Sequence, residues 1–147
     1  IFIITLVWSA STVLLLVTEN NLELSSAVYY LFLGRLLFIL ALTIPFDIRD
    51  LKYDNKSLKT IPIIVGASKA RLIAILFLLG FIIIALLQYY KNQIYFESLI
   101  AIVLSCFFAS ILIIKSTTGK KDFYFTFWVE SASIYLYFFL MLSTLLF

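Results

Sequence analysis

DIRDLKYDNKSLKTIP, residues 47–62, is the stretch of this chain in which charged side chains gather. Between positions 47 and 59 it holds three of the 8 acidic residues and four of the 11 basic ones, with long apolar runs on both sides. At ~100° per residue of helix, Asp47, Asp50 and Asp54 would lie within an arc of roughly 60°, over about two turns. Three carboxylates of like charge on one face repel one another, so the spacing favours a site that binds a cation.

The same stretch also carries cationic side chains that suit phosphate. Hard cations such as Mg²⁺ prefer oxygen ligands and usually bind through one or two carboxylates together with substrate phosphates. Basic residues interleaved with the acids could then bind phosphate oxygens directly: Arg49, Lys52, Lys56 and Lys59. The charge pattern alone fits a solvated loop equally well, so both interpretations stay open at this point.

The remainder of the chain is too apolar for a soluble domain. Of its 147 residues, 64% are hydrophobic and only 13% are charged, and the mean hydropathy is +1.13. Apolar runs of the length that crosses a bilayer recur along it. We therefore predict an all-α, multi-pass transmembrane helix bundle in a lipid bilayer, with no nucleic-acid partner and spans at roughly 1–17, 27–46, 72–90, 96–114 and 123–147.

Charges on alternate connections predict the orientation of these spans. One set of connections holds nine basic residues, namely Arg49, Lys52, Lys56, Lys59, Lys69, Arg71, Lys115, Lys120 and Lys121. The opposite set holds Lys91 and three acids, Glu19, Glu23 and Glu97. By the positive-inside rule, the acidic stretch should face the cytoplasm. We expect an integral protein of a bacterial cytoplasmic membrane.

Two prolines and a glycine predict breaks near the charged stretch. Pro45 lies one turn before Asp47, where a helix would bend or stop. Residues 61–71 contain Pro62 and Gly66 and are too short to span, so we predict an interfacial segment that leads into the third span.

Arg35 and Glu130 are the ionisable residues that lie well inside predicted spans. A charge at such depth is costly and usually faces a partner or a water-filled cavity. Counted from the cytoplasmic ends at 1.5 Å per residue, Arg35 would be ~16 Å deep and Glu130 ~12 Å. Their depths allow either a structural ion pair or a shared position on the wall of a substrate cavity.

The order of residues in the charged stretch resembles a known motif. Asp47-Ile48-x-Asp50-x-x-x-Asp54, followed by Lys59-Thr60-Ile61-Pro62 and Gly66, is similar to the second aspartate-rich motif of the UbiA superfamily of intramembrane prenyltransferases. That family is an all-α bundle of nine transmembrane helices, and this motif follows the sixth. The five spans would then correspond to helices five to nine. The chain also begins inside an apolar run without a signal peptide, so we expect a piece of a longer protein.

The resemblance implies a Mg²⁺-dependent enzyme that moves an isoprenoid chain from its diphosphate to a hydrophobic, often aromatic acceptor. Asp47, Asp50 and Asp54 would hold the metal and be the catalytic residues. Lys59, with Arg49 or Lys52, would bind the diphosphate. The family's other aspartate-rich motif would lie in the part that precedes this sequence, so this piece alone should be inactive.

This chain departs from the motif in two places. Most family members have Gly-Asp-Arg where Tyr53, Asp54 and Asn55 stand, so one diphosphate-binding arginine is missing. The stretch from Asp54 to Thr60 is about one residue shorter than usual and lacks its glycine. Lys56 is a candidate for the missing cationic role, and the differences indicate a divergent subgroup.

Two other classes of function compete with the enzyme. One is half of a membrane transporter whose acidic loop binds cations, although the predicted spans show no broken helices at mid-membrane depth. The other is a non-catalytic membrane scaffold whose basic loop binds anionic lipid headgroups. Binding of a diphosphate that depends on Mg²⁺ would distinguish the enzyme from both.

Overall fold

The computed structural model describes residues 1–53 and 59–146, apart from the side chains at positions 144 and 146. Six helices follow one another: α1 (Phe2–Glu19), α2 (Ser26–Asp50), α3 (Ile61–Val65), α4 (Ala67–Tyr90), α5 (Phe96–Lys115) and α6, which begins with Tyr124–Val129 and continues as Glu130–Leu146. Five of them, all except α3, are long and apolar enough to cross a membrane. The prediction of an all-α, multi-pass bundle is confirmed.

The apolar composition accounts for this architecture. Inside a bilayer each backbone N–H and C=O must be satisfied within the protein, and a helix does so with its own residues. Many Leu, Ile and Phe side chains of the five long helices point outward and are exposed, as expected of surfaces that meet lipid tails. Within the described ranges, no strand is present.

Helix α2 is the centre of the bundle. It contacts α1 on one side and α4 on the other, and further contacts reach α3, α5 and the start of α6. Its buried side chains include Phe38, Ile44 and Ile48, which join one apolar cluster with residues of α4, α5 and α6. The C-terminal half of α2, which ends in the acidic stretch, is therefore held on several sides.

Helices α2 and α4 approach each other closely because glycine leaves room. A Cβ atom added at Gly34 would lie 2.8 Å from two ring carbons of Phe81. The Phe81 ring is itself packed against Phe38, with ring centroids 5.6 Å apart. Gly80 plays a similar part from the other helix, since its added Cβ would lie 3.1 Å from Leu37 Cδ1.

One end of the bundle is tied by polar side chains between α2 and α4. Lys91 Nζ donates to the Tyr30 hydroxyl at 2.7 Å and lies 4.6 Å from the centre of the same ring. Gln93 Nε2 donates to Ser26 Oγ at 3.0 Å. These contacts bring together the connections that precede α2 and follow α4.

The other end of the bundle gathers the basic connections. Arg71 Nη1 donates to the Ser116 carbonyl at 2.8 Å, and the Tyr124 hydroxyl donates to the Leu112 carbonyl at 2.6 Å. Both bonds satisfy carbonyls at the C-terminal end of α5, which have no partner within the helix. The connections after α2 and after α5 therefore lie at the same end, as the charge pattern predicts.

Two boundaries differ from the sequence predictions. Residues 61–71 are not one interfacial segment, because α4 already begins at Ala67 and includes Lys69 and Arg71. Gly66 makes the break, with a φ of 83° that L side chains rarely adopt. Pro45 does not end α2, which continues to Asp50 with Pro45 buried inside it.

Helices α1 and α6 each contain a π-helical segment. In α1 it covers Ala10–Leu14, and in α6 it covers Tyr124–Val129. A π-helical segment contains a wider turn than an α-helix, and such segments are frequent at functional sites.

Candidate functional site

A cavity of about 620 Å³ opens between α1, α2 and α6. From α2 it is lined by Arg35, Ile39, Leu42, Thr43, Phe46, Asp47 and Asp50. The start of the chain and α1 contribute Ile1, Ile4, Trp8 and Thr12, and α6 contributes Val129, Glu130 and Ser133. The cavity therefore has apolar walls with a few polar groups, the composition typical of ligand sites.

The α2 side of the cavity is a single helical stripe. Its members recur three or four positions apart from residue 35 to residue 50, and at ~100° per residue they cover an arc of about 140°. The polar members of this stripe are Arg35, Thr43, Asp47 and Asp50. One face of α2 thus carries acidic groups at its C-terminal end and a cationic group at a deeper position.

Asp47 and Asp50 lie in the last turn of α2 and line the cavity there. We call this end of the cavity, marked by the two acids, its mouth. The C-terminal end of a helix carries a partial negative charge, so carboxylates there are unfavourable and cations are favoured. The structure thereby brings together two of the three predicted carboxylates, in a position where a cation would be stabilised by both the side chains and the helix.

Arg49 already supplies one cation at this mouth. Its Nε donates to Asp50 Oδ1 at 2.6 Å and its Nη2 donates to Asp50 Oδ2 at 3.1 Å, a bidentate pair. The guanidinium carbon also lies 5.4 Å from the centre of the Phe46 ring and 5.9 Å from that of Phe125. Arg49 therefore sits beside Asp50 on an aromatic platform.

The helix does not continue through the whole acidic motif. It ends at Asp50, and a turn follows in which the Tyr53 N–H donates to the Asp50 carbonyl at 2.8 Å. The assumption of one helix across residues 47–54 is therefore wrong for residues 51–53, which form a turn. Asp54 and Lys56 lie outside the described residues, so the direction of the third carboxylate stays a prediction.

The other predicted diphosphate ligands lie near the mouth but not on the cavity wall. Lys52 is exposed in the turn after α2, and Lys59 is exposed just before α3. Both are at the same end of the bundle as Asp47 and Asp50, so their long side chains are available to an anion that approaches the mouth.

Arg35 and Glu130 both line the cavity, but no ion pair joins them in the part of the chain that the structure describes. Glu130 is exposed. Of the two alternatives drawn from the sequence, the structure supports the shared position on the cavity wall.

Several lining residues were not identified from the sequence. Thr43 and Phe46 belong to the α2 stripe, and their helical spacing from Asp47 and Asp50 was a usable signal. Trp8, Thr12 and Ser133 face the cavity from α1 and α6, where nearly every position is apolar or small. Because such helices have no distinct polar face, the side that faces α2 cannot be predicted from the sequence.

The acidic mouth fits Mg²⁺ in part. Among residues 1–53 and 59–146, no group of three His, Cys, Asp or Glu side chains is placed to hold a metal ion. Two carboxylates at one cavity mouth nevertheless meet the usual requirement of Mg²⁺, which is bound by one or two protein carboxylates and completed by substrate phosphates and water.

Comparisons of the chain with protein-family models, with curated proteins and with solved structures find no match. The functional argument therefore depends on the motif and on the geometry of the cavity.

Proposed function

We propose that this chain is part of a Mg²⁺-dependent membrane prenyltransferase of the UbiA type. The proposal is supported mainly by one observation: the first two acids of the D-I-x-D motif both line the mouth of one apolar cavity inside a helix bundle. The substrates would be a prenyl diphosphate and a hydrophobic acceptor. The mouth would face the cytoplasm of a bacterial membrane, as the basic connections at that end suggest.

The three acids of the motif would share one role at the mouth. Asp47 and Asp50, with Asp54, would hold Mg²⁺ against the diphosphate of the substrate. Bound there, the ion would neutralise the charge that develops on the departing diphosphate. The carboxylates would thus position the diphosphate over the opening of the cavity, with its isoprenoid chain directed toward the apolar walls.

Arg49 would change partners when the substrate arrives. Its bidentate bond to Asp50 occupies the oxygens that a metal ion would take. If the Asp50 oxygens bound a metal ion instead, the Arg49 guanidinium would be released at the same mouth and could donate to phosphate oxygens. Lys52 and Lys59 would add charge from the rim of the mouth.

The walls of the cavity would stabilise positive charge on the reacting carbon and keep water away from it. The bond between the first isoprenoid carbon and the diphosphate oxygen breaks, and the diphosphate leaves with the electron pair. A nucleophilic atom of the acceptor then bonds to that carbon and loses a proton. Trp8 and Phe46 line the cavity, and the face of an aromatic ring can stabilise positive charge. The apolar side chains around them exclude water, which would otherwise capture the carbon.

The test is transfer from a labelled prenyl diphosphate in membranes that contain the full-length protein. Asp47→Ala, Asp50→Ala and Asp54→Ala should each abolish Mg²⁺-dependent transfer while the protein still inserts. Glu23→Ala is the matched control, because Glu23 is an exposed acid on the connection between α1 and α2 at the opposite end.

Near-normal turnover by the Asp50 and Asp54 variants would contradict the catalytic assignment. Failure of the unmodified protein to bind a prenyl diphosphate in Mg²⁺ would instead favour the transporter or the scaffold.

A further inference from the structure

The cavity has a second polar end, formed by Arg35. Counted along α2 at 1.5 Å per residue, Arg35 lies ~18 Å from Asp47 and ~22 Å from Asp50. This separation is much longer than a diphosphate, so a group bound at the acidic mouth would not reach Arg35. The deep end therefore needs an explanation of its own.

The buried Nε atom of Arg35 has no hydrogen-bond partner among residues 1–53 and 59–146. The chain has two other arginines, and both are bonded: Arg49 to the carboxylate of Asp50, and Arg71 to the carbonyl of Ser116. The contrast indicates that the position of Arg35 is not set by a protein acceptor in this part of the chain.

Glu130 does not neutralise Arg35 either. No ion pair connects the two where the structure describes the chain, and the Glu130 side chain is exposed. An arginine so deep in a membrane helix is costly unless a counter-charge or water accompanies it. Its neighbours on the α2 stripe include Ile39 and Leu42, which offer no such compensation.

We propose that Arg35 binds an anionic group, a carboxylate or a phosphate monoester, on a ligand that enters the deep end of the cavity. A guanidinium offers several N–H donors in a planar fork, which matches the oxygens of either group. The assignment of that ligand rests on the proposed function: it would be the acceptor, since an isoprenoid tail is apolar and would gain nothing from a buried cation. The acceptor would then be held by its anionic end, with its reactive atom toward the mouth.

Three probes of equal chain length test the site: hexanoate, hexyl phosphate and the uncharged hexanamide. Their binding to the purified full-length protein in neutral detergent is measured by equilibrium dialysis without Mg²⁺ or diphosphate. We expect at least one anion to bind about 10- to 100-fold more tightly than the amide, as a charge-assisted hydrogen bond allows. The stronger anion identifies the carboxylate or the phosphate as the preferred group.

Substitutions of Arg35 test whether this side chain causes the preference for anionic probes. Arg35→Gln should remove the preference for anions, and Arg35→Lys should keep part of it because the charge remains. Lys69→Gln is the matched control, since Lys69 is an exposed cation outside the cavity and its loss should change nothing. Trp8 lines the cavity, so replacing it with Phe in the full-length protein should remove any change of tryptophan fluorescence that the bound anion causes there.

Equal affinity of the unmodified protein for all three probes would overturn the proposal, even if Arg35→Gln fails to fold. Unchanged anion preference in a folded Arg35→Gln variant would overturn it as well. A separate measurement of prenyl diphosphate binding with Mg²⁺ tests the proposed function. If that binding is absent and Arg35-dependent anion binding persists, the anion site stands and its assignment to an acceptor falls.

Discussion

Asp50 is the last residue of α2, and its surroundings explain why a cation belongs beside it. The helix terminus and the neighbouring Asp47 both make the local potential negative. In the structure the positive charge of Arg49 offsets part of this negative potential through its two bonds to the Asp50 carboxylate. The side chains are 25% and 38% exposed, so solvent weakens the pair, and pairs of this kind are worth about 0.2–1 kcal/mol.

Replacing Arg49 should therefore separate metal binding from diphosphate binding. In Arg49→Gln we expect Mn²⁺, used as a paramagnetic substitute for Mg²⁺, to bind about 2- to 5-fold more tightly, because no guanidinium competes for Asp50. The same variant should bind a prenyl diphosphate about 10-fold more weakly, because a charged donor is lost. Electron paramagnetic resonance titration of Mn²⁺ gives the first value and equilibrium dialysis gives the second.

Lys115→Gln serves as the control for the change in charge, since Lys115 is exposed at the end of α5 and does not line the cavity. If the affinities for Mn²⁺ and for the prenyl diphosphate changed in the same direction in Arg49→Gln, the proposed exchange of Arg49 from Asp50 to the diphosphate would be contradicted.

At the residue scale, the spacing of Asp47 and Asp50 predicted one helical face, and both residues line the cavity from the end of α2. The assignment of Arg49 to the diphosphate stays a prediction, and the sequence did not indicate its two bonds to Asp50. Asp50 ends the helix, however, and a long arginine side chain can fold back to an adjacent carboxylate there. That contact depends on where the helix stops, which the charge pattern did not reveal.

Among the helices, the contact between α2 and α4 determines how firmly the cavity stripe is held. Gly34 lies under the buried Phe81 ring, which is packed against Phe38 and has little space to move. Close-packed interiors do not accommodate added methyl groups without strain.

Gly34→Val should consequently destabilise the protein. Overpacking of this kind costs about 1–3 kcal/mol, and valine gains little in helix propensity to offset it. Thermal unfolding in detergent, followed by circular dichroism, measures the loss. Gly119→Val provides the comparison, since an added Cβ there meets no atom within 4 Å. Equal stability of the two variants would show that the α2–α4 contact is looser than described.

The number of long helices could be predicted from apolar runs, whereas their limits depended on local geometry. The third span was predicted to begin near residue 72, because Lys69 and Arg71 read as part of a polar connection. In the structure Gly66 interrupts the helical conformation, and α4 begins directly after it. Arg71 lies in α4, and its side chain donates to the Ser116 carbonyl at the end of α5, a contact between distant residues that periodicity cannot show.

For the whole molecule, the sides of the membrane can be tested with thiol labelling. Cys106, the cysteine of this sequence, is buried, so it should not react with a membrane-impermeant maleimide. We expect Glu23→Cys to be labelled in intact cells, because the positive-inside rule puts that connection outside. Lys120→Cys should be labelled only after the membrane is permeabilised.

The reverse result for these two positions would put the acidic mouth on the outer side, away from cytoplasmic substrates. The proposed enzyme would then be excluded. Labelling of both positions in intact cells would mean that the connections are not on opposite sides, which contradicts the five-span arrangement.

At this scale, length and hydropathy alone determined the class of fold, since a chain so apolar has few alternatives to a helix bundle. The same two properties could not show which helix faces which. The cavity between α1, α2 and α6 depends on packing among surfaces that are nearly uniform in composition, so it became visible only in three dimensions.

The π-helical segments lie where a one-residue change of hydrogen bonding would alter the lining of the cavity. Two of its three helices contain one, and each segment supplies a lining side chain, Thr12 in α1 and Val129 in α6. A shift of hydrogen bonding by one residue within such a segment turns the side chains beyond it by about 100°. The lining of the cavity could therefore be reset by a one-residue slip in either helix, while the α2–α4 contact stays fixed.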